Sequence, residues 1–281
     1  MKENKEFRQL ISQYGMLGIL AVSFVIAYLP VLQQLVSVWN ASEEYSHGFF
    51  IIPISVYIIW GKKASLATIP MKPSLWGGVL IFISILVYML AHTAEILTLA
   101  PITMIFCLSG IVIFCFGFPL FKALSFPICF LFFMIPVPSQ IYAALTVPLQ
   151  LFVTKVSVGM GSILSIPIYR EGNVIHIPDH TLQVVAACSG LRSMIALLTL
   201  SAIFGYITLK SNLLRVILFF SGVPVAIFVN IIRVFLMIVA FYYFNYDLAE
   251  GSVHTAFGMG IFVLALAIIV LIKGVLAVWE K

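Results

Sequence analysis

The sequence predicts an all-α integral membrane protein of about eight transmembrane helices, with a short outer-side hairpin just before Cys188. Three observations carry that fold class. The 281 residues are 63% hydrophobic and only 9% charged, a composition far from that of soluble domains. Most of the chain divides into apolar runs long enough to cross a bilayer as helices. The basic residues gather at alternate ends of those runs, as the positive-inside rule requires.

Taken in order, the expected spans cover about 14–37, 48–61, 75–93, 96–118, 120–137, 188–208, 224–245 and 253–275. The run at 48–61 is short for a crossing, which predicts an earlier start or a tilt. The run 213–245 is too long for one, so a break is expected at Ser221-Gly222-Val223-Pro224, where proline removes a backbone donor. Residues 140–165 hold Pro148, Lys155, Gly159 and Gly161 and read as an interfacial or re-entrant helical piece. The β-branched runs on either side of Pro178-Asp179-His180 predict the hairpin, which leads directly into Cys188. The whole chain, 1–281, reads as a single multi-pass domain with its outer-side segment at about 138–187.

Charge placement predicts orientation. Lys2, Lys5 and Arg8 precede the first span, and Lys62, Lys63 and Lys72 follow the second. Lys122, Lys210, Arg215, Lys273 and Lys281 fall on the same side, whereas Glu43, Glu44, Glu95, Glu171, Asp179, Asp247 and Glu250 fall on the other, with Lys155 and Arg170. Both termini are therefore expected in the cytoplasm, and the first span is expected to be a retained anchor, not a cleaved signal. The net charge of +5 follows from this bias and gives no support for a nucleic-acid partner.

The chemistry is expected to reside in a few ionisable residues within apolar surroundings. Cys188 stands where the hairpin meets a helix start, in Ala187-Cys188-Ser189-Gly190-Leu191-Arg192. If 188–192 is helical, Arg192 lies on the same face one turn on and favours the thiolate, the nucleophilic form. Arg233 lies in mid-span with Asn230 one turn earlier and no carboxylate in the same span; such a guanidinium suits an oxyanion or a peptide carboxylate. His254 opens the last span and is the natural base for a thiol, with Glu250 one turn earlier to hold the ring. The bland readings are an inert packing cysteine, a structural ion pair and an interfacial belt histidine.

His47 is a rival base, while His176 and His180 read as hairpin surface residues. Cys107, Cys115 and Cys129 read as apolar packing residues. No CxxC, Cys/His metal spacing, GxSxG elbow or HExxH helix occurs, so neither metal nor cofactor is expected. The only aspartates, Asp179 and Asp247, fall in loops, which disfavours an intramembrane aspartyl dyad.

The chain resembles the exosortase/archaeosortase family of multi-pass membrane cysteine transpeptidases over most of its length. The segments that carry the resemblance are Tyr45-Ser46-His47-Gly48-Phe49, Phe126-Pro127 through Met134-Ile135-Pro136-Val137-Pro138, and Tyr169-Arg170-Glu171-Gly172-Asn173-Val174-Ile175. Ala187 to Ser193, Asn230-Ile231-Ile232-Arg233-Val234, and Ala249-Glu250-Gly251 with His254 complete the set. The resemblance implies Cys188, Arg233 and His254 as the catalytic set; Arg192, Asn230 and Glu250 are the supporting residues that their spacing gives. It implies cleavage of a C-terminal sorting signal of the PEP-CTERM type from exported proteins, whose tails combine a motif, a transmembrane helix and a basic cluster. Transfer through a thioacyl enzyme to an unnamed acceptor would follow, in the cell (inner) membrane with the active site facing outward. The competing classes are a polytopic transporter and an assembly subunit for envelope or exopolysaccharide export. Arg192 and Arg233 would bind an anionic solute in the first, but it has no use for Cys188.

Overall fold

The computed structural model describes residues 2–42, 44–94, 96, 98–178, 180–184, 190–248 and 251–280, without the side chains of residues 2–14, Met16 and Gln183. Cys188 and Glu250 lie outside the described residues, as do Glu43, Glu95 and Asp179. The chain forms two compact units, residues 1–137 and 138–281. Among the described residues, seven helices are long and apolar enough to cross a membrane, and the protein is an all-α integral membrane protein.

In the first unit, α1 (Lys2–Ala41) precedes α2 (Gly48–Gly61), α3 (Lys63–Ala67), α4 (Leu75–Thr93) and α5 (Leu99–Phe116). Glycine sets the α4–α5 contact: a Cβ on Gly77 would strike the backbone of Phe114 and Gly110, so the two backbones approach as only small residues permit. α2 keeps its expected bounds, but its 14 residues rise about 21 Å, short of the ~30 Å hydrocarbon core. The span expected at 120–137 is not one helix. It divides into α6 (Phe118–Ala123), α7 (Ser125–Phe130) and a 3₁₀ turn, Leu131–Met134. The break falls at Leu124, whose φ of −92° and ψ of 2° leave helical geometry, and Pro136 and Pro138 beyond the turn have no N–H with which to extend a helix.

The second unit opens with α8 (Ser139–Ile163), a single 25-residue helix that runs through Pro148 and is apolar enough to cross. The sequence predicts an interfacial or re-entrant piece here; the helix is continuous through the proline, which membrane helices tolerate. The predicted hairpin is β2 (Val174–Ile177) with β3 (His180–Gln183), and β1 (Tyr169–Glu171) adds a third strand in the order β1-β2-β3. Gly172, at φ 62°, closes the two-residue β1–β2 turn. Ile175 and Ile177 are buried while their neighbours are half-exposed, the period-two pattern of a sheet with one covered face.

α9 (Leu191–Thr208), α10 (Asn212–Phe244) and α11 (Gly251–Val278) complete the unit. The expected break at Ser221–Pro224 is absent: α10 runs unbroken for 33 residues, about 50 Å. Leu218, Gly222, Val225, Ala226 and Val229 are buried along this stretch, so packing on both sides of Pro224 holds the helix through the missing bond. Two apolar clusters meet along α10. One joins α9, α10 and α11 around Leu197, Leu218, Val229 and Ile269. The other joins α8, the sheet and α10 around Val153, Ile175, Ile177, Val234 and Ile238. Asn230 and Arg233 lie where one cluster gives way to the other.

Candidate active site

Arg233 and His254 meet. The Arg233 Nη2 donates to His254 Nε2 at 2.9 Å, across 21 residues of sequence. The other ring nitrogen, Nδ1, lies 3.1 Å from the carbonyl oxygen of Leu248. A guanidinium has donors only, so Nε2 must accept. The proton is then on Nδ1 and is donated to Leu248. The two bonds together assign His254 as the neutral Nδ1–H tautomer.

Helical depth explains how the two side chains come level. Arg233 lies 11 residues before the end of α10 at Phe244, about 16 Å of rise, whereas His254 is in the first turn of α11. The last three turns of α10 therefore extend past the contact, and the return through residue 248 brings α11 in below the helix end. Gly258, one turn after His254, lies against the guanidinium: a Cβ there would be in van der Waals contact, 3.4 Å from Nη2 and 3.6 Å from Cζ of Arg233. The guanidinium thus lies along a face of α11 formed by an imidazole and a glycine. Its Nε is buried and has no hydrogen-bond partner among the described residues.

Asn230 is buried and packs against Gly190, whose Cβ position lies 3.0–3.1 Å from Cγ, Cβ and Nδ2 of the Asn230 side chain. Gly190 has φ 83° and ψ −3°, and α9 starts one residue later. This corrects one expectation: a helix cannot run from 188 to 192, because Gly190 is left-handed and no helical turn includes it. The shared face expected for Cys188 and Arg192 falls on Cys188, which lies outside the described residues. Arg192 is half-buried in the first turn of α9. Glu250, expected to hold the His254 ring, is outside the described residues; the described partner of Nδ1 is the Leu248 carbonyl.

His47, the rival base, belongs to the first unit and faces backbone. Its Nδ1 is 3.1 Å from the Glu44 carbonyl and its Nε2 is 3.1 Å from the Phe133 carbonyl. A neutral ring donates to one of these at a time and an imidazolium to both, so the residue ties two segments together. Trp39 does the same, its Nε1–H donating to the Met134 carbonyl at 3.0 Å. Next to them, burial pushes the Tyr45 phenol up from its ordinary range. Cys107 is buried, Cys115 half-buried and Cys129 exposed. His176 stacks on Tyr169, and His180 packs on Phe241 of α10.

Sequence reasoning missed Gly258 and the Leu248 carbonyl. The first had a signal, a glycine four residues after a candidate histidine on a helix. The second had none, since a carbonyl acceptor is present at every residue. Among the described residues, no group of His, Cys, Asp and Glu is arranged to hold a metal.

A helical membrane protein with a guanidinium–imidazole pair inside its second unit is the class these features define. The chain belongs to the transmembrane exosortase family, whose family model, described as "Transmembrane exosortase", matches residues 39–271. No curated protein and no solved structure matches the chain.

Proposed function

We propose that the protein is a membrane-embedded cysteine peptidase and transpeptidase. It cleaves a C-terminal sorting signal from exported proteins and transfers the new carboxyl end to an acceptor. Family membership supports the exosortase reading, and the observation that carries the chemistry is the Arg233–His254 contact. Gly190, against Asn230, is two peptide links downstream of Cys188, about 7 Å of chain at most. That short link supports a place for Cys188 near the helix that carries Arg233.

The neutral His254 ring has one lone pair, on Nε2, so Arg233 and the Cys188 thiol take it in turn. A substrate carbonyl draws the guanidinium off Nε2, and the freed nitrogen accepts the thiol proton. The thiolate attacks the scissile carbonyl carbon and a C–S bond forms. Arg233 donates to the oxygen as it becomes an oxyanion. The imidazolium then gives its proton to the leaving amine as the C–N bond breaks, which leaves a thioacyl enzyme. An acceptor nucleophile loses its proton to His254, attacks the thioester carbon and releases Cys188. Arg192, near the same segment, favours the thiolate through its fixed charge.

The test replaces Cys188 by alanine in the full chain and measures removal of the substrate tail in membranes. Tail removal is expected to stop with protein levels unchanged, and Cys107, Cys115 and Cys129 replaced together by alanine are expected to leave it intact. Tail removal that survives Cys188→Ala refutes the proposal, and so does loss in the folded triple variant.

A further inference from the structure

Among the described residues, the three-stranded sheet has an edge with no backbone partner, and it borders a cleft that includes Leu248. The β2–β3 register pairs Ile177 with His180, Ile175 with Leu182 and Val174 with Gln183. Val184 N–H donates to the Asn173 carbonyl at 2.9 Å. Antiparallel ladders alternate, so residues 180, 182 and 184 direct their backbone groups at β2, and Thr181 and Gln183 direct theirs away from it. Among the described residues, no backbone group bonds to that outward edge. It offers two N–H donors and two carbonyl acceptors spaced about 7 Å apart along the strand.

Both faces next to this edge are hollow. On one face a cavity of about 500 Å³ is lined by Pro167, Tyr169, His176, Pro178, His180 and Thr181. On the other a small cleft includes Thr181, Leu182, Phe241 and Leu248, and Leu248 is the residue whose carbonyl holds His254. Side chains that alternate along an added strand would find the larger cavity on one side and a cleft of about 30 Å³ on the other. β3 itself runs on in the chain towards Cys188. The opposite edge is poorer: the β1–β2 register turns only Arg170 of β1 outward, and its guanidinium bonds to the Gly172 carbonyl.

We propose that the free edge of β3 seats the scissile segment of the substrate protein, which joins the sheet as a fourth, antiparallel strand. This rests on the proposed function, since it names where that substrate lies. Main-chain bonds to Thr181 and Gln183 give affinity, and the larger cavity selects side chains. Recognition then depends on an extended backbone as much as on a particular motif.

The probe is the fluorescently labelled C-terminal tail of an exported protein from the same genome, with its apolar helix and basic cluster. Binding is measured to the full-length Cys188→Ala protein in nanodiscs, and cleavage separately with Cys188 intact. Esters replace single amides of the tail along the segment before its apolar helix. Binding is expected to weaken at every second position, by roughly two- to tenfold for each lost bond, and to hold at the positions between. Thr181→Pro removes one outward N–H without touching the β2–β3 ladder and is expected to weaken binding to a similar extent, and by more than Thr181→Val, which keeps that N–H and changes only the side chain at the cavity wall. A flat ester profile, or no binding of the tail, overturns the proposal even if Thr181→Pro fails to fold. A Thr181→Pro variant that loses only self-association identifies a second copy as the occupant and overturns it as well. A tail that binds with the alternating profile and is never cleaved counts against the proposed function and leaves the edge intact.

Discussion

Gly190→Ala tests the junction between the Cys188 segment and α10 more directly than any charged residue does. At φ 83° an alanine incurs the left-handed penalty of about 1–2 kcal/mol. Its Cβ would also lie 3.0–3.1 Å from three atoms of Asn230, so the carboxamide must give by a few tenths of an ångström. Asn230 is 3% exposed and packed, which leaves it little room, and the two effects should together lower stability by about 1–3 kcal/mol. Asn230→Ala removes two of the three crowded atoms and none of the backbone strain. The double variant is therefore expected to be less destabilised than the sum of the single variants, with a coupling of about 0.5–1 kcal/mol. The assays are thermal unfolding in detergent and the rate of Cys188 alkylation in a protein without the other three cysteines. Gly190→Ala should change both. If it leaves unfolding and alkylation at parent values, neither the left-handed turn nor the Asn230 contact is as described, and the argument that keeps Cys188 near Arg233 fails.

Arg233→Lys keeps the charge but loses the planar fork. Its ammonium ends near the position of Cζ, short of Nε2, so single-turnover tail cleavage should fall by about 10²–10³; parent-like cleavage refutes the oxyanion role. Arg192→Lys should be milder, and Arg192→Ala should move the pH profile of Cys188 alkylation upward; an unmoved profile removes Arg192 from the thiolate account. The His254 tautomer is open to ¹⁵N NMR of labelled histidine: Nδ1 should carry the proton in the resting protein, and an Nε2–H signal contradicts the Arg233 contact. Reporter fusions after Glu95 and after Asp179 are expected to report the outer side, and fusions after Lys63 and at the C-terminus the cytoplasm. A cytoplasmic result after Asp179 puts the site on the wrong face for exported substrates.

Hydropathy made the membrane class readable because it is a sum over neighbours, and a helix of apolar residues needs no distant partner to satisfy its backbone. The same local character made α2, α4 and α5 readable almost to their ends. It failed at α10, where Pro224 looks like a break until the flanking helix face is seen packed. It failed in the other direction at 120–137, where an apolar run bends at Leu124 and no hydropathy value records a backbone angle.

The site divides along the same line. Charge is costly inside an apolar run, so Arg233 and His254 stood out singly in the sequence. That they touch, with the lone pair of one occupied by the donor of the other, depends on how far α10 extends past the start of α11. His47 and His254 were rival bases in the sequence, two histidines next to apolar helices. Tertiary structure separates them, because one faces two carbonyl groups and the other a guanidinium. Residue type, composition and the order of apolar runs were determined by the sequence alone, since each is a property of the local chain. The partners of each polar atom were decided only by folding, because a hydrogen bond across 21 or 86 residues is a fact about two places in the chain at once.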